Sequence, residues 1–276
     1  MGIGPDDIRL LEFLAEHRVT VVWQAQARLG CTLSAAERQL RALDEAGLVV
    51  REPIFEGQPA ACRITRRGLA LLERELPAPQ VDLKGYRHDV GVAWLWLAAQ
   101  AGAFGRLDGL VSERTMRSAD RRREGLGIGT SSPAPGATSR GERYGIGVTG
   151  AGPRGGLSLH YPDLMLDATT GHRVAIELEL TAKGARRLDG IMLGYAAESR
   201  VDVVLYLCPT RAIGAHVAAA ARRAGISDRV QVQLLAPGTP AGAPDPRRLR
   251  SRQVARDALA ARPTRSPRSR AAVPER

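Results

Sequence analysis

A chain of 276 residues, 44% hydrophobic and 25% charged, has the balance of a soluble globular protein and the length for two compact domains joined by flexible segments. A net charge of +11 and a pI near 10.6 favour an anionic polymer as partner. Cys31, Cys62 and Cys208 show no paired spacing, which excludes a disulfide framework and leaves them as small apolar residues. No apolar run approaches the roughly 18 residues needed to cross a bilayer, and the start Met1-Gly2-Ile3-Gly4-Pro5-Asp6 fits neither a secretory signal nor a myristoylation pattern; a cytoplasmic protein without a membrane partner is expected.

Taken in chain order, Asp6 to His17 sets Ile8, Leu11, Leu14 and Ala15 on one face at helical spacing. Thr20 to Leu29 reads as a second, short helix ended by Gly30. A third is expected to start at Ser34-Ala35-Ala36-Glu37 with a capping box, burying Ala36, Leu40 and Leu43 and presenting Arg38, Gln39, Arg41 and Glu45 to solvent. Two short strands, Leu48 to Arg51 and Ala61 to Thr65, flank a loop with Pro53, Gly57 and Pro59; Thr65 then caps a fourth helix running to Leu76. This order, with the run LDEAGLVVRE…ITRRGLALLE, resembles the winged helix-turn-helix superfamily. The resemblance implies that the third helix enters the major groove of double-stranded DNA, with Gln39 and Arg41 reading bases beside Arg38, and Arg51 and Arg63 near phosphates. The alternative is a winged helix used for protein contact or dimerisation.

After a linker over 78–85, Tyr86 to Gly102 predicts an apolar helix carrying Trp94 and Trp96, buried against a sheet or forming a dimer seam. Leu107 to Met116 reads as strand-like. From Ser118 to Gly156 the dominance of Gly, Arg, Ser and Pro predicts a flexible insertion. Gly145-Ile146-Gly147-Val148-Thr149-Gly150 inside it matches a dinucleotide-binding string by accident, since no helix start follows.

Leu157 to Leu166 and Arg173 to Leu180 read as a hairpin turning at Ala168 to His172. Centring it on Thr170 sets Asp163 across from Glu177, and strand alternation then places Asp163, Glu177 and Glu179 on one face and Leu164, Leu166, Ile176 and Leu178 on the other. Lys183 follows the acids, and it is one of two lysines in a chain with thirty-eight arginines. Convergent carboxylates raise one another's proton affinity unless a cation neutralises them. Mg²⁺ or Mn²⁺ on Asp163 and Glu177 would do so, activating a water and polarising a phosphoryl group, with Lys183 stabilising developing charge. The competing reading is a solvated hairpin face with Glu177 or Glu179 paired to Arg173, Arg186 or Arg187. His160 and His172 flank the hairpin and read as half-exposed polar residues rather than zinc ligands.

An Asp at the start of one strand and an acidic pair on the next, within helix, strands, helix, strand, helix and strand from Tyr86 to Leu234, resembles the PD-(D/E)xK nuclease superfamily. That resemblance implies a restriction-endonuclease-like αβββαβ domain over 86–235, hence an α+β or α/β chain behind a winged helix over 1–77, with Glu113 as a further metal-site acid. Glu179 stands where that pattern places a lysine, and Lys183 is the cation available to replace it. The segments YRHDVGVAWL, SERTMR and YPDLMLD…HRVAIELELTAKGARRLDGIMLGYA, in that order, resemble the replication-relaxation family of plasmid and integrative-element proteins. This implies DNA binding in replication or mobilisation of a mobile element, with other plasmid replication or mobilisation proteins or a second copy of the chain as partners. The alternative is a non-catalytic regulator. The segment 236–276 reads as a disordered basic tail; from Asp245 onward it holds ten arginines against three carboxylates and suits phosphate contact without sequence reading.

Overall fold

The computed structural model describes residues 2–125, 143–148, 156 and 158–235. The chain is mixed α and β: helices α1 (Pro5–Glu16), α2 (Val22–Leu29) and α3 (Leu33–Glu45), strands β1 (Val49–Glu52) and β2 (Ala61–Ile64), and helix α4 (Arg66–Leu71) come first. Then follow α5 (Tyr86–Gln100), β3 (Leu107–Ser112), α6 (Glu113–Gly125), β4 (Ile146–Val148), β5 (Ser158–His160), β6 (Leu164–Ala168), β7 (Arg173–Leu178), α7 (Ala185–Ala197), β8 (Val203–Cys208), α8 (Arg211–Arg223) and β9 (Val230–Leu234). The basic tail and most of the Gly-rich insertion lie outside the described residues.

Local chemistry sets the early helix limits. The Asp7 carboxylate accepts from Gly4 N at 2.9 Å to open α1, and Gly30 closes α2 at φ 67°, a left-handed conformation that costs a residue without Cβ little. Helix α3 begins one residue before the expected Ser34 box, because the Thr32 hydroxyl takes the cap, accepting from Ala35 N at 3.3 Å. Its inward residues Ala36, Leu40 and Leu43 are buried as their spacing requires. Thr65 caps α4 through Gly68 N, but the helix stops at Leu71 rather than Leu76. There Glu73 turns to φ 53°, and Arg74 N returns to Leu69 O, closing the end before Pro77.

Five strands form one sheet in the order β3-β6-β7-β8-β9; β3, β6 and β7 are antiparallel, while β7, β8 and β9 run parallel through the crossover helices α7 and α8. The β6–β7 register pairs Leu164 with Ile176 and Leu166 with Val174, which is the pairing centred on Thr170. One sheet face, with Leu164, Leu166, Ile176 and Leu178, packs under α5; the other, with Met165, Ala175, Val204 and Tyr206, packs against Leu188, Met192 and Tyr195 of α7 and Val217 of α8. Because α5 is apolar all round, it buries Trp94, Trp96 and eight other residues between α2 and the sheet. The apolar cluster that starts in α1 therefore continues without a break through α5 to Leu207.

The expected flexible insertion starts in regular structure and holds a short strand within it. Helix α6 covers Glu113 to Gly125, so the strand-like reading of Leu107 to Met116 holds only to Ser112. Ile146 to Val148 of the glycine string form β4 against β5. That hairpin is fixed from below: Asp120 on α6, 1% exposed, accepts from Tyr144 N and Gly145 N.

Candidate functional site

The leading end of β6 and the trailing end of β7 bring the acids together. Asp163 sits one residue before β6, where its Oδ2 accepts from Leu178 N at 2.7 Å and lies 3.1 Å from His88 Nε2 on α5. Glu177 Oε1 lies 2.5 Å from His160 Nε2 and accepts from the Tyr195 hydroxyl of α7, also at 2.5 Å. Just past β7, Glu179 accepts from Lys183 N at 3.0 Å and pairs with the Lys183 ammonium. All three carboxylates belong to buried residues, with Asp163 8% exposed and Glu177 and Glu179 2% each. A solvated hairpin face is thereby excluded, and neither Glu177 nor Glu179 pairs with Arg173, Arg186 or Arg187.

The electrostatics follow from that packing. Burial alone would raise the Glu177 carboxyl, but His160, Lys183 and the Tyr195 hydroxyl outweigh it and hold the pKa below the usual range. Burial would likewise lower the partner cations, yet Asp163 and Asp89 lift His88 to about 10, Glu177 lifts His160, and Glu177 and Glu179 lift Lys183. Three buried carboxylates thus face Lys183 and two histidines whose protonated forms they favour. Tyr195 and Tyr206, both fully buried beside this charge, are pushed well above the ordinary phenol value by burial first and by Glu177 second. The repulsion expected among the acids is relieved from within the protein.

Two histidines in this cluster carry roles that their sequence positions did not signal. His88 stands with Asp89 in the first turn of an otherwise apolar helix, and that polar pair is the only sequence cue to it. His160 is not a half-exposed bystander: its side chain is 17% exposed and holds Glu177. His172 lies at the opposite end of the hairpin, 3.8 Å from Asp202.

Glu113 adjoins the cluster through its backbone, its N–H donating to the Asp163 carbonyl at 3.1 Å, but its carboxylate is engaged elsewhere. It begins α6 and pairs with Arg117 at 2.7 Å and with Arg18 at 3.0 Å, so its carboxylate ties α6 to the chain between α1 and α2. Of the residues expected to read DNA, Arg38 and Arg41 are exposed on α3, whereas Gln39 is turned back onto Asp7 of α1 at 2.6 Å. Arg63 is also engaged, donating to Glu52 at 2.9 Å and to Pro79 O at 3.1 Å. Arg51 is half-buried, with its Nε enclosed and unpartnered. Solvent-facing cations on α3 are therefore Arg38 and Arg41.

Among the described residues, no group of three or more His, Cys, Asp or Glu side chains converges as a closed metal site would need. Mg²⁺ asks less of a protein, since one or two carboxylates suffice when water and phosphate oxygens complete the shell. In Asp163 and Glu177 the hydrogen bonds described above engage Oδ2 of the first and Oε1 of the second.

The chain matches no known family model, and no curated protein matches it. No helix among the described residues is long and apolar enough to cross a membrane.

Proposed function

We propose that this protein binds double-stranded DNA through a winged helix-turn-helix formed by α1 to α4, and that the five-stranded part is a restriction-endonuclease-like domain able to cleave a phosphodiester with a divalent metal. The setting is replication or mobilisation of a plasmid or integrative element, as the resemblance of its ordered segments to the replication-relaxation family implies. One observation carries the nuclease reading. Two antiparallel strands in a single register deliver Asp163 beside Glu177, with Glu179 and Lys183 immediately after; the three carboxylates are buried and Lys183 is half-buried against Glu179.

In this reading Asp163 and Glu177 hold Mg²⁺ or Mn²⁺, which when bound supplies an acidified water and positive charge against the phosphoryl oxygens. The chain's own groups do the positioning. Leu178 N and His88 fix the Asp163 carboxylate, while Tyr195 and His160 fix that of Glu177. Lys183 offers its ammonium to the charge that builds on the phosphate. Exposed Arg38 and Arg41 on α3 face the duplex.

A second reading is favoured by a different observation: every acid in the cluster already has a histidine or lysine partner within the protein. On that reading the protein is a non-catalytic regulator, and the sheet serves dimerisation or contact with another replication or mobilisation protein. Purified protein incubated with supercoiled plasmid and Mg²⁺ or Mn²⁺, beside the variant Glu177→Ala, separates the two. Nicking that disappears in the variant is expected; duplex binding without nicking in the wild type would leave the regulator.

A further inference from the structure

Strands β7 and β8 are parallel and end side by side, with Leu178 opposite Leu207 and Glu179 N donating to Leu207 O at 3.0 Å. The helices that follow them, α7 and α8, consequently start at the same end of the sheet as Glu177, Glu179 and Lys183. Their closeness is fixed by a direct contact: His216, in the second turn of α8, lies 3.0 Å by its Nε2 from the carbonyl of Lys183.

Three arginines occupy these helix starts. Arg186 and Arg187 lie in the first turn of α7 and Arg211 opens α8; all are exposed. None forms an ion pair with a described residue, although Arg186 and Arg187 lie only a few residues from Glu179. The reason is local: Lys183 has already neutralised Glu179, and the stretches 180–188 and 209–219 contain no carboxylate. The rim of the acidic cluster is accordingly cationic. Guanidinium forks of this kind suit phosphate oxygens, which they can hold through two parallel hydrogen bonds.

We propose that Arg186, Arg187 and Arg211 form a second duplex-DNA contact, gripping backbone phosphates at the mouth of the Asp163–Glu177–Glu179 cluster. This contact is separate from the one made by α3. The assignment rests on the duplex-DNA reading above and adds to it where the phosphate backbone would pass. Each phosphate contact contributes about −0.9 to the slope of log K against log salt. Full-length protein with Arg186→Ala, Arg187→Ala and Arg211→Ala combined should show that slope reduced in magnitude by about 2 to 3 on duplex DNA, with at least a tenfold loss of affinity near 150 mM salt.

The matched control carries Arg121→Ala on α6 and Arg222→Ala at the far end of α8, eleven residues or roughly 16 Å along the helix from Arg211. These exposed substitutions should leave the melting midpoint in place, and equal midpoints confirm folding. Per charge removed, the control should reduce the slope by less than half as much as the triple variant does. A triple variant with the wild-type slope overturns the rim contact and leaves the DNA reading standing, as does a control that weakens binding equally per charge removed. A triple variant that loses a hairpin RNA but keeps duplex DNA also overturns it. Wild-type protein that binds no duplex at all removes both the rim contact and the reading beneath it.

Discussion

His17 is enclosed by Phe13 at 4.7 Å and Trp96 at 5.6 Å between ring centroids, and burial first, then the charge of Arg114, lowers its pKa to about 3. The folded state keeps it neutral, whereas the unfolded chain protonates it near its ordinary value of 6.5. Its depressed pKa means that stability present above pH 6.5 is lost as pH falls from there toward 3, by an amount on the order of a few kcal/mol. Substituting His17→Phe should flatten that acid limb; urea unfolding at pH 4.5 and 7 in both proteins measures it. Little of this is legible in the sequence. The helix Asp6 to His17 predicts the position, but only the arrival of α5 seventy residues later determines that a titratable ring becomes core. The candidate site shows the same division. Asp163, Glu177, Glu179 and Lys183 follow from strand alternation and short spacing, whereas His88 and Tyr195 approach from helices whose packing no local pattern encodes. Glu113 illustrates the converse: an acid at a plausible position is diverted by a long arginine from a loop far earlier in the chain.

Elements were readable wherever one periodicity governed them. The β6–β7 register emerges because a slip of one residue would exchange Leu164, Leu166 and Ile176 for Asp163 and Glu177 against the core. The end of helix α4 and the whole of strand β4 were not, because such short stretches depend on what lies beside them. The contact between α7 and β4 is such a case. A Cβ at Gly194 would lie 2.7 Å from the carbonyl oxygen of Gly147 and 3.2 Å from Ile146 Cγ2. In an isolated helix Gly→Ala gains about 1 kcal/mol, but here the obstacle is backbone, and overpacking of this kind costs about 1–3 kcal/mol. Gly194→Ala should therefore lower the stability by up to about 2 kcal/mol, with a shifted urea midpoint and an unchanged slope.

At the scale of the whole molecule, the expected linker over 78–85 joins two parts that share one apolar cluster. Polar bonds reinforce it: Gln24 donates to Val90 O at 2.7 Å, the Ser112 and Thr115 hydroxyls donate to Glu16 at 2.6 and 2.8 Å, and Arg114 donates to His17 O at 2.9 Å. Arg114 is 8% exposed and also serves Pro77 O, so Arg114→Ala would leave the buried His17 carbonyl and that of Pro77 unserved. It should cost about 2–4 kcal/mol while thermal unfolding stays a single transition by both helix signal and tryptophan emission. Two well-separated melting steps would contradict a shared core. The sequence places the two parts but not their union, since burial on every side of Tyr86 to Gln100 names no particular neighbour.

The bonds of Glu16 and Arg18 to the β3–α6 corner, and of Arg114 on that corner back to His17 and Pro77, join the two parts by more than the chain between them. If α3 seats on one site in a duplex, the distance from that site to whatever lies before Asp163 is then fixed by the protein's own frame. Any bond cut would fall at a constant offset of base pairs, without the scatter that a flexible tether allows.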